Sequence, residues 1–129
     1  MPPRRLVLVI DDDRDIREAI RDLLAVDGYD IAEARDGGAG LAYLRSHPRP
    51  GVILLDWNMA PMNGGQFMAE FSSDPELSVI PVVLLTADIR AEEKARARGI
   101  KSLVKKPIDV DVLLAIASRY CDVGAPETS

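Results

Sequence analysis

Residues 52–56, Val-Ile-Leu-Leu-Asp, run four apolar side chains straight into a carboxylate, and the only tryptophan, Trp57, follows at once. Four consecutive apolar residues without alternation fit a strand covered on both faces, as in a parallel sheet. An aspartate just past the carboxyl end of such a strand stands where open α/β sheets bind their ligands. What that edge can do depends on what the other strands bring to it.

Outward from this run, four more apolar stretches read as strands: LVLVI (6–10), a weaker YDIAEA (29–34), VVLLT (82–86) and a short SLVK (102–105). The segments between them carry helical spacing. In RDIREAIRDLLAV, Ile16, Ala19, Ile20, Leu23 and Leu24 share one face, and Gly28 follows as a stop. Segment 38–46 presents Leu41, Ala42 and Leu44 and ends before Pro48; segment 64–72 presents Phe67, Met68 and Phe71. DVDVLLAIASRY places Val112, Leu113, Ile116, Ala117 and Tyr120 on one stripe. Segment 90–98, RAEEKARAR, has good helix propensity but only alanines to bury, so it is expected to lie loosely on the sheet, mostly in water. Strand and helix thus alternate five times. That is an α/β pattern: a parallel sheet with right-handed crossovers and helices on both faces.

At 129 residues the chain reads as one domain, 1–129, with a core over about 5–120 and flexible tails at 1–4 and about 121–129. The net charge of −5 repels phosphate backbones and anionic lipid, so neither nucleic acid nor membrane is an expected partner. The lone Cys121 cannot form an internal disulfide, and the first apolar run is too short for a signal sequence or a bilayer span. A cytoplasmic location follows as the expectation. Gly37-Gly38-Ala39-Gly40 lacks the Lys and Ser/Thr of a phosphate-binding loop, and His47 before Pro48 reads as a solvated loop residue.

In a parallel sheet the carboxyl ends meet at one edge. After the first strand come Asp11, Asp12 and Asp13; after the third, Asp56; after the fourth, Thr86, Ala87 and Asp88; after the fifth, Lys106 and Pro107. Asp13 reads as a helix N-cap. The others are harder to explain as structure alone. Two like charges about 4 Å apart repel by about 4 kcal/mol at an effective dielectric near 20. Something positive must offset them. A hard divalent cation held by one or two carboxylates suits the set, with Lys106 supplying the remaining charge.

These residues, in this order and at these distances, resemble the receiver domain of two-component response regulators, of the stand-alone, chemotaxis-regulator-like kind. The resemblance covers about residues 5–120. It implies a flavodoxin-like three-layer sandwich with strand order 2-1-3-4-5 and five helices. It implies that Asp56 accepts a phosphoryl group and that Asp12 ligates Mg²⁺. Asp11 would act through a metal-bound water, and Asn58 would offer its backbone carbonyl to the ion. Thr86 and Lys106 would bind the phosphoryl oxygens, and a cis peptide would join Lys106 to Pro107. The expected donor is a phosphohistidine of a sensor histidine kinase or phosphotransfer protein. The chemistry suits the residues: an ordinary aspartate is ionised at neutral pH and attacks in line, while cation, ammonium and hydroxyl compensate the charge.

The sequence departs from the family at three places. Through the loop after Asp56, proline stands one place later, at Pro61, and Asn63 replaces an aspartate. Three residues before Lys106, where signalling members carry Tyr or Phe, stands Leu103, so only the Thr86 half of the usual switch is present. Asn58 and Asp88 occupy positions that tune hydrolysis, which leads to the expectation of a short-lived phosphorylated form rather than a dedicated enzyme.

Because the sequence ends near residue 129 without a DNA-binding domain, the expected output is contact with a downstream protein through the 90–120 face, as a monomer or a phosphorylation-dependent dimer. Two rivals share the fold. One is a protein-binding pseudo-receiver that is never phosphorylated, for which Leu103 speaks. The other is an aspartyl-phosphate phosphatase, against which Asn58 speaks because such enzymes use an aspartate there.

Overall fold

The structure is a computed structural model that describes residues 5–122. The stretches 1–4 and 123–129, expected as flexible tails, lie outside the described residues. The elements follow in strict alternation: β1 (Leu6–Ile10), α1 (Arg14–Ala25), β2 (Asp30–Ala34), α2 (Gly37–Ser46), β3 (Val52–Asp56), α3 (Gly64–Ser72), β4 (Val82–Thr86), α4 (Ile89–Ala97), β5 (Ser102–Lys105) and α5 (Val110–Cys121). All four strand pairings are parallel, in the order β2-β1-β3-β4-β5. The expected flavodoxin-like α/β sandwich is therefore present.

Burial explains why the order suits these strands. β1, β3 and β4 have neighbours on both sides, and their apolar runs are almost wholly enclosed; Val7 to Ile10 are fully buried. The weaker run of β2 and the short β5 take the edges, where one side of the ladder is free. Side chains alternate between two cores. Leu8, Ile10, Ile53, Leu55 and Leu84 pack with Leu41 of α2, Phe67 and Phe71 of α3, and Ala91 and Ala95 of α4. Val7, Val9, Leu54, Val83 and Leu85 pack with Ile20 and Leu24 of α1 and with Leu113 and Ala117 of α5. Burying side chains of this size stabilises by roughly 1.5–3 kcal/mol each, before chain entropy is set against it.

The helix ends obey local chemistry. Asp13 caps α1 by accepting from the Asp15 and Ile16 amides, as expected. Gly28, at φ 84, turns the chain out of α1, and the following Tyr29 amide reaches back to the Leu24 carbonyl. α4 buries only Ala91 and Ala95, and Ile89 is left 69% exposed. α5 runs one residue further than expected: Cys121 is buried at its end, its thiol pushed up to about 11 by burial and by Asp122. Asp122 then takes hydrogen bonds from Arg5 and Tyr29, closing the end of α5 onto the start of β1.

Candidate functional site

Register brings the acidic residues together. Ile10 lies beside Leu55, so one step further along two parallel strands sets Asp11 next to Asp56. Thr86 pairs with Lys105, which sets Lys106 one step past β4, where its amide donates to the Thr86 carbonyl at 2.9 Å. Strand alternation decides the rest. Asp56 continues the Leu54 face, toward α1 and α5, whereas Thr86 continues the Leu84 face, toward α2, α3 and α4.

Carboxylate oxygens of Asp11, Asp12 and Asp56 lie within 4.8 Å of one another. Asp11 is buried, Asp56 is 7% exposed and Asp12 opens to solvent. The Lys106 ammonium donates to Asp11 Oδ2 at 2.9 Å and stands 3.6 Å from Asp56 Oδ1. Asp11 is held at every polar atom. Its amide donates to the Ala34 carbonyl, its carbonyl accepts from Arg17 Nη1 at 2.7 Å, and its Oδ1 accepts from the Asp13 amide at 2.9 Å. Arg17 is in turn steadied by Glu33 on β2, at 3.1 Å.

Asp56 is not the ordinary aspartate expected from its sequence position. Burial, and then the charge of Asp11, push its pKa from 3.8 up to about 6 against the pull of Lys106. Burial disfavours the Lys106 charge as well, but the hydrogen bond and the charge of Asp11, then Asp56, overcome it and leave its pKa raised. At neutral pH Asp56 is still mostly ionised, roughly nine parts in ten. The sign for stability follows. Folding favours the protonated form, so Asp56 costs nothing below about 3.8 and costs stability progressively as the pH rises through about 6. In metal-free protein a ¹³C-detected titration of the Asp56 carboxyl is expected to have its midpoint near 6. A midpoint at or below 4 would contradict the enclosed, crowded environment.

Thr86 is placed differently from the acidic set. It is 3% exposed, and its hydroxyl accepts from the Asp88 amide at 2.9 Å and faces the Asp88 carbonyl at 3.3 Å. It shapes the turn into α4, where the Asp88 side chain caps the helix by accepting from the Arg90 amide. Asn58 is exposed, and its backbone amide helps to hold the Asp56 charge. Leu103, at the place of the family's aromatic residue, is half-buried against the α2–α4 side of the core. The Lys106-Pro107 peptide is cis, as expected; Ala60-Pro61 is cis as well. Asn63 answers the other departure in the loop: it caps α3, accepting from the Gln66 amide while the Gln66 side chain accepts from the Asn63 amide.

Two contributors were not read from the sequence. Arg17 is one, and its place six residues past Asp11, on the helix beside β2, is a usable signal. Gly64 is the second. A Cβ there would stand 2.7 Å from the Trp57 ring, 3.0 Å from the Trp57 Cα and 3.1 Å from the Asp56 carbonyl oxygen. Two of those neighbours are backbone and cannot rotate away. Gly64→Ala is therefore expected to cost about 1–3 kcal/mol in chemical denaturation and to shift the Trp57 emission, because the loop leaving Asp56 must move. An unchanged midpoint with an unchanged spectrum would show the contact to be relieved at no cost.

A parallel five-stranded sheet with this acidic edge defines a class, and the comparison with known families agrees. The response regulator receiver domain matches residues 7–118, and the chain belongs to that family. Among curated proteins it is similar to the protein PilH of Pseudomonas aeruginosa, 30% identical over 110 residues, covering 84% of this chain and 90% of PilH. It is 35% identical over 115 residues to the phosphate regulon transcriptional regulatory protein PhoB of Escherichia coli, which covers 86% of this chain but only 49% of PhoB. The chain thus spans about half the length of that relative. Among solved structures, the chemotaxis response regulator CheY4 of Vibrio cholerae superposes with a TM-score of 0.80 at 28% identity, over 89% of this chain and 97% of CheY4. The protein is a receiver domain of two-component signalling. Among the described residues no helix is long and apolar enough to cross a membrane.

Proposed function

We propose that Asp56 accepts a phosphoryl group from a phosphohistidine of a sensor histidine kinase or phosphotransfer protein, and that its phosphorylation changes affinity for a downstream protein. The observation that carries this is the meeting of three carboxylates within 4.8 Å of one another under a lysine ammonium. The donor set suits Mg²⁺: hard oxygens only, one carboxylate open to solvent, and too much negative charge for a single lysine to offset. Asp12 and Asp56 would hold the ion directly, with the Asn58 carbonyl, and Asp11 through water. When bound, Mg²⁺ supplies charge compensation to the transferring group.

The residues of the chain do the rest. An Asp56 oxygen forms the bond to phosphorus as the phosphorus–nitrogen bond of the donor breaks and its electron pair returns to the imidazole. Lys106 is already 3.6 Å from Asp56 Oδ1 and meets the negative charge arriving there. Thr86 would give up its hydrogen bonds to Asp88 to reach a phosphoryl oxygen, and that exchange would move the start of α4. The α1 side offers the donor an approach: an apolar groove of about 300 Å³, lined by Ile16, Ile20, Leu23, Pro107 and Ile108, opens beside Lys106. Asn58 and Asp88 at the rim support a phosphorylated form that hydrolyses rather than persists. The proposed setting is cytoplasmic, and the output is protein contact through the α4–β5–α5 side.

Intact-protein mass spectrometry after treatment with acetyl phosphate and Mg²⁺ tests the proposal directly. The expected result is the mass increase of one phosphoryl group, with a change in Trp57 fluorescence on adding Mg²⁺ and again on adding beryllofluoride. No mass increase and a silent Trp57 would favour a pseudo-receiver that works by static contacts.

A further inference from the structure

The basic residues of this chain are not spread evenly. Residues 90–106 hold seven Lys or Arg against Glu92 and Glu93 alone, in a protein whose net charge is −5. Arg90 and Lys94 on α4 and Arg98 at its C-cap recur at every fourth position, so they line one flank with a spacing of about 6 Å. All three are exposed, and among the described residues none of them takes part in an ion pair. Like charges four apart destabilise a helix. On α1 the like charges four apart are offset: Arg17 and Arg21 share Glu33, and Arg14 bonds Glu18 four residues on, whereas the α4 cations have no such partner among the described residues.

The same flank borders a groove. Between α3 and α4 lies an open cavity of about 390 Å³, bordered by Trp57, Gly65 and Gln66 on one side and by Lys94, Ala97 and Arg98 on the other. The absence of a side chain at Gly65 and the small Ala97 leave room beside the indole. A cleft between two helices accepts a third helix, and a carboxylate at every fourth position of that helix would repeat the 6 Å spacing of the cations. We propose that the α3–α4 groove docks an acidic helix of a downstream protein, its carboxylates meeting Arg90, Lys94 and Arg98. This rests on the chain being a receiver with a protein output, and it extends the contact surface across α4 from the β5–α5 side to the α3 side and names the chemistry recognised there.

Two other occupants fit less well. A nucleic acid would extend past this flank onto the acidic remainder of the chain. A second copy has exposed acids to offer, but no helix among the described residues carries carboxylates at three successive fourth positions; the longest such run, Glu18 and Asp22 on α1, is already paired with Arg14 and Arg21. The groove also reaches the phosphorylation site through one peptide bond, since Trp57 follows Asp56.

The test uses the full chain and a synthetic helical peptide of Ala and Leu with Glu at every fourth position, titrated by Trp57 fluorescence. The expected result is saturable binding that weakens at least tenfold between about 50 mM and about 500 mM salt. Lys94→Glu with Arg98→Glu should weaken it at least tenfold again, and Lys94→Gln with Arg98→Gln by less. A peptide of the same composition with scrambled glutamates should bind more weakly than the patterned one. Absence of saturable binding, or equal affinity for the charge-reversed protein, overturns the proposal. So does a single-stranded oligonucleotide that binds more tightly than the peptide, or sedimentation that shows the flank buried between two copies. The same samples are weighed after acetyl phosphate. Uptake without peptide binding defeats the groove alone, and peptide binding without uptake defeats the phosphoryl chemistry alone.

Discussion

Asp56→Asn is expected to take up no phosphoryl group from any donor and, without divalent ions, to unfold at a higher denaturant concentration than the parent. The two effects come from one cause. The carboxylate proposed to attack is held in an enclosure that disfavours its charge, with Asp11 pressing on it from β1. An amide of the same shape keeps the packing, removes the proposed nucleophile and no longer repels Asp11 and Asp12. The whole displacement from 3.8 to about 6 would correspond to roughly 3 kcal/mol. Water at the open mouth screens part of it, so a gain of about 1–2 kcal/mol is expected at pH 7.5, shrinking toward zero near pH 4, where both side chains are neutral. Urea titrations at the two pH values measure it. A clear loss of stability at pH 7.5 would show that the carboxylates are not crowded, and the case for a divalent ion would weaken with it.

Lys106→Met should act in the opposite direction and more strongly. Methionine keeps much of the apolar stem but leaves the Asp11 carboxylate, whose side chain is 1% exposed, without its ammonium partner at 2.9 Å. Removing one member of a buried pair costs about 3–5 kcal/mol. Here Lys106 is 20% exposed and Asp12 opens to water, so about 2–4 kcal/mol is expected without metal. Addition of Mg²⁺ should recover part of that loss, because a divalent ion offsets the same charges. Phosphoryl uptake should slow by about 10²–10³-fold, as when one preorganised charge-stabilising donor is removed. The two sites are in contact, so the double variant should not be the sum of the singles. Removing Asp56 relieves part of the repulsion that Lys106→Met exposes. Equal stability of parent and Lys106→Met in metal-free buffer would contradict the ion-pair assignment.

The fold was legible because its signals are local and redundant. All five strands and all five helices fall within one or two residues of the positions read from apolar runs and helical spacing. Continuous runs at 6–10, 52–56 and 82–86 became the enclosed centre of the sheet, and the weaker runs became its edges. Asp13 capped its helix as expected. The acidic cup was legible for the same reason. Once strands are parallel, the residue after each apolar run is bound to the same edge, and Asp11, Asp12, Asp56 and Lys106 meet there.

Pairing order, contacts across elements and local charge were not legible in that way. The order 2-1-3-4-5 came from a family resemblance, because five runs of similar length do not state which neighbours they choose. The grip of Arg17 on the Asp11 carbonyl and the closeness of Gly64 to Trp57 each join elements distant in space or depend on a loop's path. The alternation that turns Asp56 and Thr86 toward opposite faces was present in the residues, but its consequence, Thr86 bound to the Asp88 backbone, needed the turn into α4.

The amino-acid order alone determined the alternating elements and which side chains leave each strand at its carboxyl end, because both follow from a periodicity of two or of 3.6 along a single chain. Tertiary structure alone decided how far Asp56 departs from an ordinary carboxylic acid, since its burial and the approach of Asp11 are set by neighbours that other strands supply. It also decided that Lys94 and Arg98 border a cleft rather than open water, for a helix has a groove beside it only when a second helix lies there.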